Sequence, residues 1–187
     1  ISGGSLSGKT SLTKIMYSDL NNAKQRTCLL LNGNEITDTS EQFIRNLTRG
    51  ALTKQYGSAA IARIEQIEPA SKVLLIDDFD KTALNSRGQK SFIDMMSNVF
   101  GTVVLLADEF FGLAELAAGS ETDQFLFDFS VCSLKEFGYV LRGQLIERWT
   151  NAGRENTLSA EELTHEVSVN ENLVLTVLGN NLLPSYP

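Results

Sequence analysis

Cysteine, proline and histidine are scarce in this 187-residue chain, which carries two Cys, three Pro and one His. That composition excludes a disulfide-stapled miniprotein, a collagen-like repeat and a disordered tail. The lone histidine, His165, sits among Glu161, Glu162 and Glu166 with no Cys or His partner, and it reads as a surface residue rather than a zinc ligand. No apolar run reaches the length of a membrane span, and the start has neither the basic nor the apolar region of a signal peptide. Basic residues are outnumbered 16 to 23, giving a net charge of -7. This disfavours binding of duplex DNA or an anionic membrane through the whole surface, while a local basic patch stays open. What is present is 42% hydrophobic residues, enough for one core-bearing domain with a small appendage. The chain opens at Ile1, directly into a glycine-rich motif, and stops at Pro187. The expectation is a fragment of a longer protein.

Glycines and polar clusters divide the chain into apolar runs and helix-like stretches. Leu12, Ile15, Met16 and Leu20 recur at helical spacing over 9–20, as do Phe43, Ile44, Leu47 and Leu52 over 39–56, with Thr39 or Ser40 as N-cap. Further helices are expected over 58–67, ended by Pro69, and over 85–99 and 109–118. Strands are expected over 26–31, closed by Asn32-Gly33, and over 72–76, 101–107 and 125–131. Apolar strands separated by helices predict a parallel sheet covered on both faces. After Ser133 the pattern becomes helical, with Phe137, Leu141, Leu145 and Trp149 as a core stripe and another helical segment over 159–178. The domain reading is an α/β core over 1–133 and a small, incomplete helical unit over 134–187.

Gly3-Gly4-Ser5-Leu6-Ser7-Gly8-Lys9-Thr10 fits G-x-x-x-x-G-K-[ST] at every fixed position. The glycines let backbone N–H groups turn inward toward phosphate oxygens. A helix beginning at Lys9 presents its positive dipole end to the same anion. Lys9 is expected to reach the β- and γ-phosphates and the Thr10 hydroxyl to hold Mg²⁺, with Ser11 completing the nucleotide-binding set. The strand that should precede Gly3 is reduced to Ile1 and Ser2.

A Mg–nucleotide loop requires a carboxylate at a neighbouring strand end. Val73-Leu74-Leu75-Ile76 runs into Asp77, Asp78 and Asp80. Asp77 is the expected metal-orienting residue, and Asp78 or Asp80 positions or polarises the attacking water. Asp108 and Glu109, after Val103-Val104-Leu105-Leu106-Ala107, are the rival acidic end. Asp77 is preferred because it follows its apolar run directly and leaves a further strand to come.

GGSLSGKT, LLIDDFD and the appended helical segment together resemble the STAND class of P-loop NTPases, relatives of AAA+ proteins that include NACHT and NB-ARC domains and bacterial antiphage sensors. The resemblance spans essentially the whole chain, and the Asp77/Asp80 spacing carries its most specific part. It implies a three-layer α/β P-loop NTPase with strand order 5-1-4-3-2 and a helical lid. Cys28 and Cys132 would then lie at opposite sheet edges, four strand spacings of about 4.8 Å apart, as free thiols in a reducing cytoplasm. The resemblance also implies a proline near adenine, Pro187 or else Pro184. By position, Arg142 or Arg148 could reach a phosphate from the lid and Arg87 could serve a neighbouring subunit, with solvated surface the stronger reading for an arbitrary arginine. Where the family often has Glu after the second Asp, this chain has Lys81, and Ala107-Asp108 carries no basic or hydroxyl sensor. Slow hydrolysis is therefore expected. The implied function is an ATP/ADP switch that gates homo-oligomerisation and a fused effector, with sensor and effector domains outside this sequence and a foreign phage protein as ligand. An AAA+ motor acting on nucleic acid and a structural nucleotide-binding interaction module are the alternatives.

Overall fold

The computed structural model describes residues 1–23, 26–111, 129–135, 138–152 and 159–179. The chain divides into two compact units, Ile1–Gly4 with Lys9–Leu134 and Ser5–Gly8 with Lys135–Pro187. The first is α/β with parallel strands.

In the first unit, β1 (Ser2–Gly3) leads through the glycine motif to α1 (Lys9–Asn22). β2 (Thr27–Asn32) follows, closed by a single 3-10 turn over Gly33–Glu35. Then come α2 (Glu41–Tyr56), a short α3 (Ile61–Glu65), β3 (Lys72–Asp77), α4 (Ser86–Ser97), β4 (Thr102–Leu105) and β5 (Ala107–Asp108). β3 pairs in parallel with β2 on one side and β4 on the other, placing Asn32 opposite Asp77. β5 continues beyond Leu106 and pairs with β1, setting Gly3 opposite Asp108. Ser2 also forms a parallel bridge with Ser133. The ladder is thus in two hydrogen-bonded pieces, joined through the backbone of Thr102–Asp108.

Side-chain alternation explains why β2 and β3 read as unbroken apolar runs. Cys28, Val73 and Leu75 face Met16, Tyr17 and Leu20 of α1. Leu29, Leu31, Leu74 and Ile76 face the other way, onto a cluster with Ile44, Phe92, Ile93 and Met96 from α2 and α4. Burying each large aliphatic side chain contributes about 1.5–3 kcal/mol before conformational entropy is charged against it. All six residues of β3 are buried, so it is the central strand of its sheet in both pairing and packing.

Several local expectations are corrected. Ser40 is the N-cap of α2, as expected, but it makes no side-chain cap bond. Its hydroxyl instead donates to Asp38, whose other carboxylate oxygen accepts the Thr39 and Ser40 N–H groups. A carboxylate is the stronger acceptor and takes the turn. The helix expected over 58–67 is a 3-10 turn followed by the one-turn α3. Ile15 of α1 is exposed, because only Leu12, Met16 and Leu20 of its apolar set face inward. Within the expected strand 125–131, Phe129–Val131 is not in a strand, and 125–128 lies outside the described residues. The pairing is made further on, at Ser133, where a two-residue β1 has room for one bridge. Of the helix expected over 109–118, Glu109 and Phe110 form a turn, Phe111 is helical with its ring meeting Phe79 edge-on at 5.7 Å, and 112–118 lies outside the described residues.

The second unit contains the helices α5 (Tyr139–Asn151) and α6 (Ala160–Gly179), which pack together; Asn170 Nδ2 donates to Thr150 Oγ1 at 3.0 Å. The expected core stripe is not one. Leu141 and Leu145 are exposed and Trp149 is 77% exposed, while Phe137 lies outside the described residues. Periodicity marks an apolar face without saying whether anything covers it. Among the described residues no helix is long and apolar enough to cross a membrane. Cys28 is buried and Cys132 exposed, and both are free thiols. Burial pushes the Cys28 thiol up to about 12.

Candidate functional site

The glycine motif joins β1 to α1, whose first turn carries no acidic side chain. The first N–H groups of a helix have no intrahelical partner, so this end can accept an anion. The Lys9 ammonium folds back onto the motif's start, donating to Gly3 O at 2.6 Å and Gly4 O at 2.9 Å. Thr13 Oγ1 donates to Lys9 O and holds the first turn closed. Ser5–Gly8 belongs to the second unit and has its own backbone signature. Leu6 has φ 62° and Gly8 has φ 85°, both in the left-handed region that glycine enters freely and leucine does not. The Ser7 hydroxyl is buried without a hydrogen-bond partner.

The acidic strand end separates its three carboxylates into different environments. Asp77, the last residue of β3, is 6% exposed, and its Oδ1 has no hydrogen-bond partner. Asp78 turns the chain with φ 56°, a conformation Asp tolerates better than most residues, and its Oδ1 accepts from Lys81 Nζ at 3.0 Å. That hydrogen bond holds the Lys81 ammonium above its usual range. Asp80 Oδ1 accepts the Asp108 N–H at 3.0 Å, tying the turn after β3 to β5. Phe79 N–H to Leu106 O and Leu106 N–H to Ile76 O make the same connection through the backbone. Asp108 therefore serves the turn: its N–H is held by Asp80, and its Oδ1 accepts the Phe110 N–H at 3.1 Å.

A cavity of about 490 Å³ opens beside this strand end, and its walls include Thr10, Lys14, Asn32, Glu35, Lys54 and Asp77. Thr10 and Asp77, the expected Mg²⁺ pair, both line it, together with Leu30, Leu31, Leu47 and Ala51, while Lys9, Gly3 and Gly4 do not. An orphaned buried carboxylate oxygen is costly unless something satisfies it, and a hydrated cation is suited to do so. Among the described residues, no group of three or more His, Cys, Asp or Glu could hold a metal unaided. Mg²⁺ characteristically takes one or two protein oxygens and completes its octahedron with water and phosphate. The donor set fits that habit.

Of the other expected site residues, Ser11 is exposed on α1, Arg87 is exposed on α4 and His165 is exposed on α6. Arg142 and Arg148 are carried on α5 in the second unit. Pro184 and Pro187 lie outside the described residues. Sequence reasoning missed Glu35, which the turn after β2 places on the same cavity as Thr10 and Asp77. The available signal was a polar residue just beyond a buried strand's C-terminal end, where open parallel sheets bind ligands.

No protein-family model matches this chain, and no curated protein sequence matches it either.

Proposed function

We propose that this chain is a P-loop nucleoside-triphosphate switch of the STAND type, binding ATP or ADP with Mg²⁺ and hydrolysing ATP slowly. The observation that carries the reading is the buried, unpartnered Asp77 Oδ1 on the cavity that also receives Thr10. The first residue of α1, Lys9, supplies the cation for phosphate, and the first turn of α1, with Thr10 and Ser11, supplies backbone and hydroxyl donors. The parallel neighbour relations support the finer fold assignment, a P-loop sheet in the order 5-1-4-3-2, in which the fifth strand stands for the segment at Ser133 and the fourth for β4 with its continuation β5. Ser133 neighbours β1, β1 neighbours β5, and β4 neighbours β3, which neighbours β2.

Bound Mg²⁺ would supply charge neutralisation at the phosphates. The chain's own part is to hold them, with Lys9 and the α1 terminus, and to fix Thr10 and Asp77 where the cation must sit. Lys81 occupies Asp78, and Asp108 occupies one oxygen of Asp80, which supports slow turnover. In a larger cytoplasmic signalling or defence protein, nucleotide would gate homo-oligomerisation and a fused effector, with a phage protein as one source of the activating ligand. Nucleotide binding and turnover by wild type and Lys9→Ala test the proposal. Wild type is expected to bind ATP and ADP, and Lys9→Ala to lose at least tenfold in affinity. Equal binding by the two proteins contradicts it.

A further inference from the structure

We propose that the cavity at the N-terminal ends of β2 and β3 binds a small amphipathic carboxylate, with its aliphatic chain on the apolar wall and its anionic end on Lys72 and Arg49. The site is separate from the nucleotide reading and does not rest on it. Lys72 begins β3 and Asp77 ends it, so five residue steps of about 3.3 Å put roughly 17 Å between them. The cavity shares no lining residue with the one that Thr10 and Asp77 line.

The strand alternation that builds the core also builds this cavity. Leu74 and Ile76 of β3 point to the face covered by α2 and α4, and Lys72, two residues before Leu74, points the same way. A face that is otherwise apolar along β3 therefore receives an ammonium at one end. There the chain leaves a cavity of about 530 Å³, within the roughly 300–1,000 Å³ usual for small-molecule sites. Leu29, Ile44, Ile64, Met96 and Phe100, all buried, make its apolar wall, and Lys72 lines it with them.

Charge is the second, independent observation. Lys72 is only 7% exposed, and its ammonium makes one hydrogen bond, to the Glu65 carbonyl at 3.3 Å. Among the described residues no carboxylate lies within ion-pair reach of it. A buried ammonium is costly unless an anion and further acceptors complete it. On α2, Arg45 is already paired with Glu41 at 2.7 Å. The exposed Arg49 guanidinium, one turn further on and lining the same cavity, has no hydrogen-bond or ion-pair partner among the described residues. The cavity thus offers an apolar wall, a buried ammonium with donors to spare and a free guanidinium fork. A planar carboxylate matches that fork. Glu41 and Glu65, which also line the cavity, favour a monoanion over a dianionic phosphate.

The test titrates the full chain by calorimetry with octanoate, and with octan-1-ol as its neutral match, for wild type, Lys72→Met and Arg49→Gln. Wild type is expected to bind one octanoate, and to bind octanol at least about tenfold more weakly. Lys72→Met keeps the length and apolar stem of the side chain while removing its charge. It should lose about ten- to a hundredfold in octanoate affinity and bind octanol within about threefold of wild type. The exposed Arg49→Gln should lose about threefold. Two results on wild type alone overturn the proposal, whatever the variants do: no octanoate binding, or octanol bound as tightly as octanoate. Unchanged octanoate affinity in Lys72→Met overturns it as well. Dimerisation of wild type that Arg49→Gln removes, with no octanoate bound, assigns the cavity to a second copy of the chain and likewise overturns it.

Discussion

Two parallel strands of the first unit end in aspartate, and the contrast between them explains more than either alone. At the end of β3, Asp77 is buried with an unsatisfied oxygen. At the end of β5, Asp108 has its N–H bound by Asp80 and its carboxylate bound by the Phe110 N–H. One carboxylate is left incomplete within the fold, and the other is consumed by it. A buried carboxylate oxygen without a partner is a cost that stability alone gives no reason to keep, which supports the proposal that a ligand completes this end. The Asp108 end instead locks the turn that carries the acidic run.

The largest test of this contrast exchanges the two aspartates for asparagine. Asp77→Asn is expected to lower Mg²⁺-dependent turnover by roughly a hundredfold or more, with no loss of thermal stability because a buried charge is removed. Asp108→Asn keeps an acceptor for Phe110 and should change turnover by less than about tenfold. Equal losses in a phosphate-release assay would erase the distinction. Next in size is Gly33→Ala, whose methyl group must displace the Asp78 carbonyl. It should destabilise the chain by about 3 kcal/mol in urea unfolding. A neutral outcome would show that the turn after β2 is not clamped to the β3 end.

Asp80→Ala removes the acceptor for the Asp108 N–H and should cost about 1–3 kcal/mol in the same unfolding assay. A stability unchanged by that substitution would mean that Asp80 is free for chemistry and that the β5 end is held by backbone alone. The smallest effect belongs to Lys81→Ala. Its ion pair with Asp78 is half in solvent, so stability should change by less than about 0.5 kcal/mol. If the pairing restrains Asp78, turnover in this variant should rise by a few-fold in the phosphate-release assay.

Much of this contrast is legible in the sequence. The run into Asp77 reads as a buried strand because β3 is apolar on both faces, and Lys9 begins a helix as the motif demands. The preference for Asp77 over Asp108 followed from the same run, but the reason that separates them is tertiary. It depends on Asp80 reaching Asp108 across 28 residues of sequence. The packing of the turn after β2 is illegible for a related reason: Asn32-Gly33 announces a turn, while the close approach of Gly33 to the Asp78 carbonyl is set by tertiary structure. The Trp149 stripe was misread because helical spacing fixes a face and leaves its cover undetermined.

The most direct test of the central claim is nucleotide titration of the full chain with Mg²⁺ and with a chelator, for wild type and Lys9→Ala. Wild type should bind ATP more tightly with Mg²⁺ than without it. Lys9→Ala should lose about 10- to 100-fold, the equivalent of one charge-assisted hydrogen-bonding group. Wild type that binds no nucleotide in either condition, or a Lys9→Ala variant that binds as well as wild type, would contradict the account.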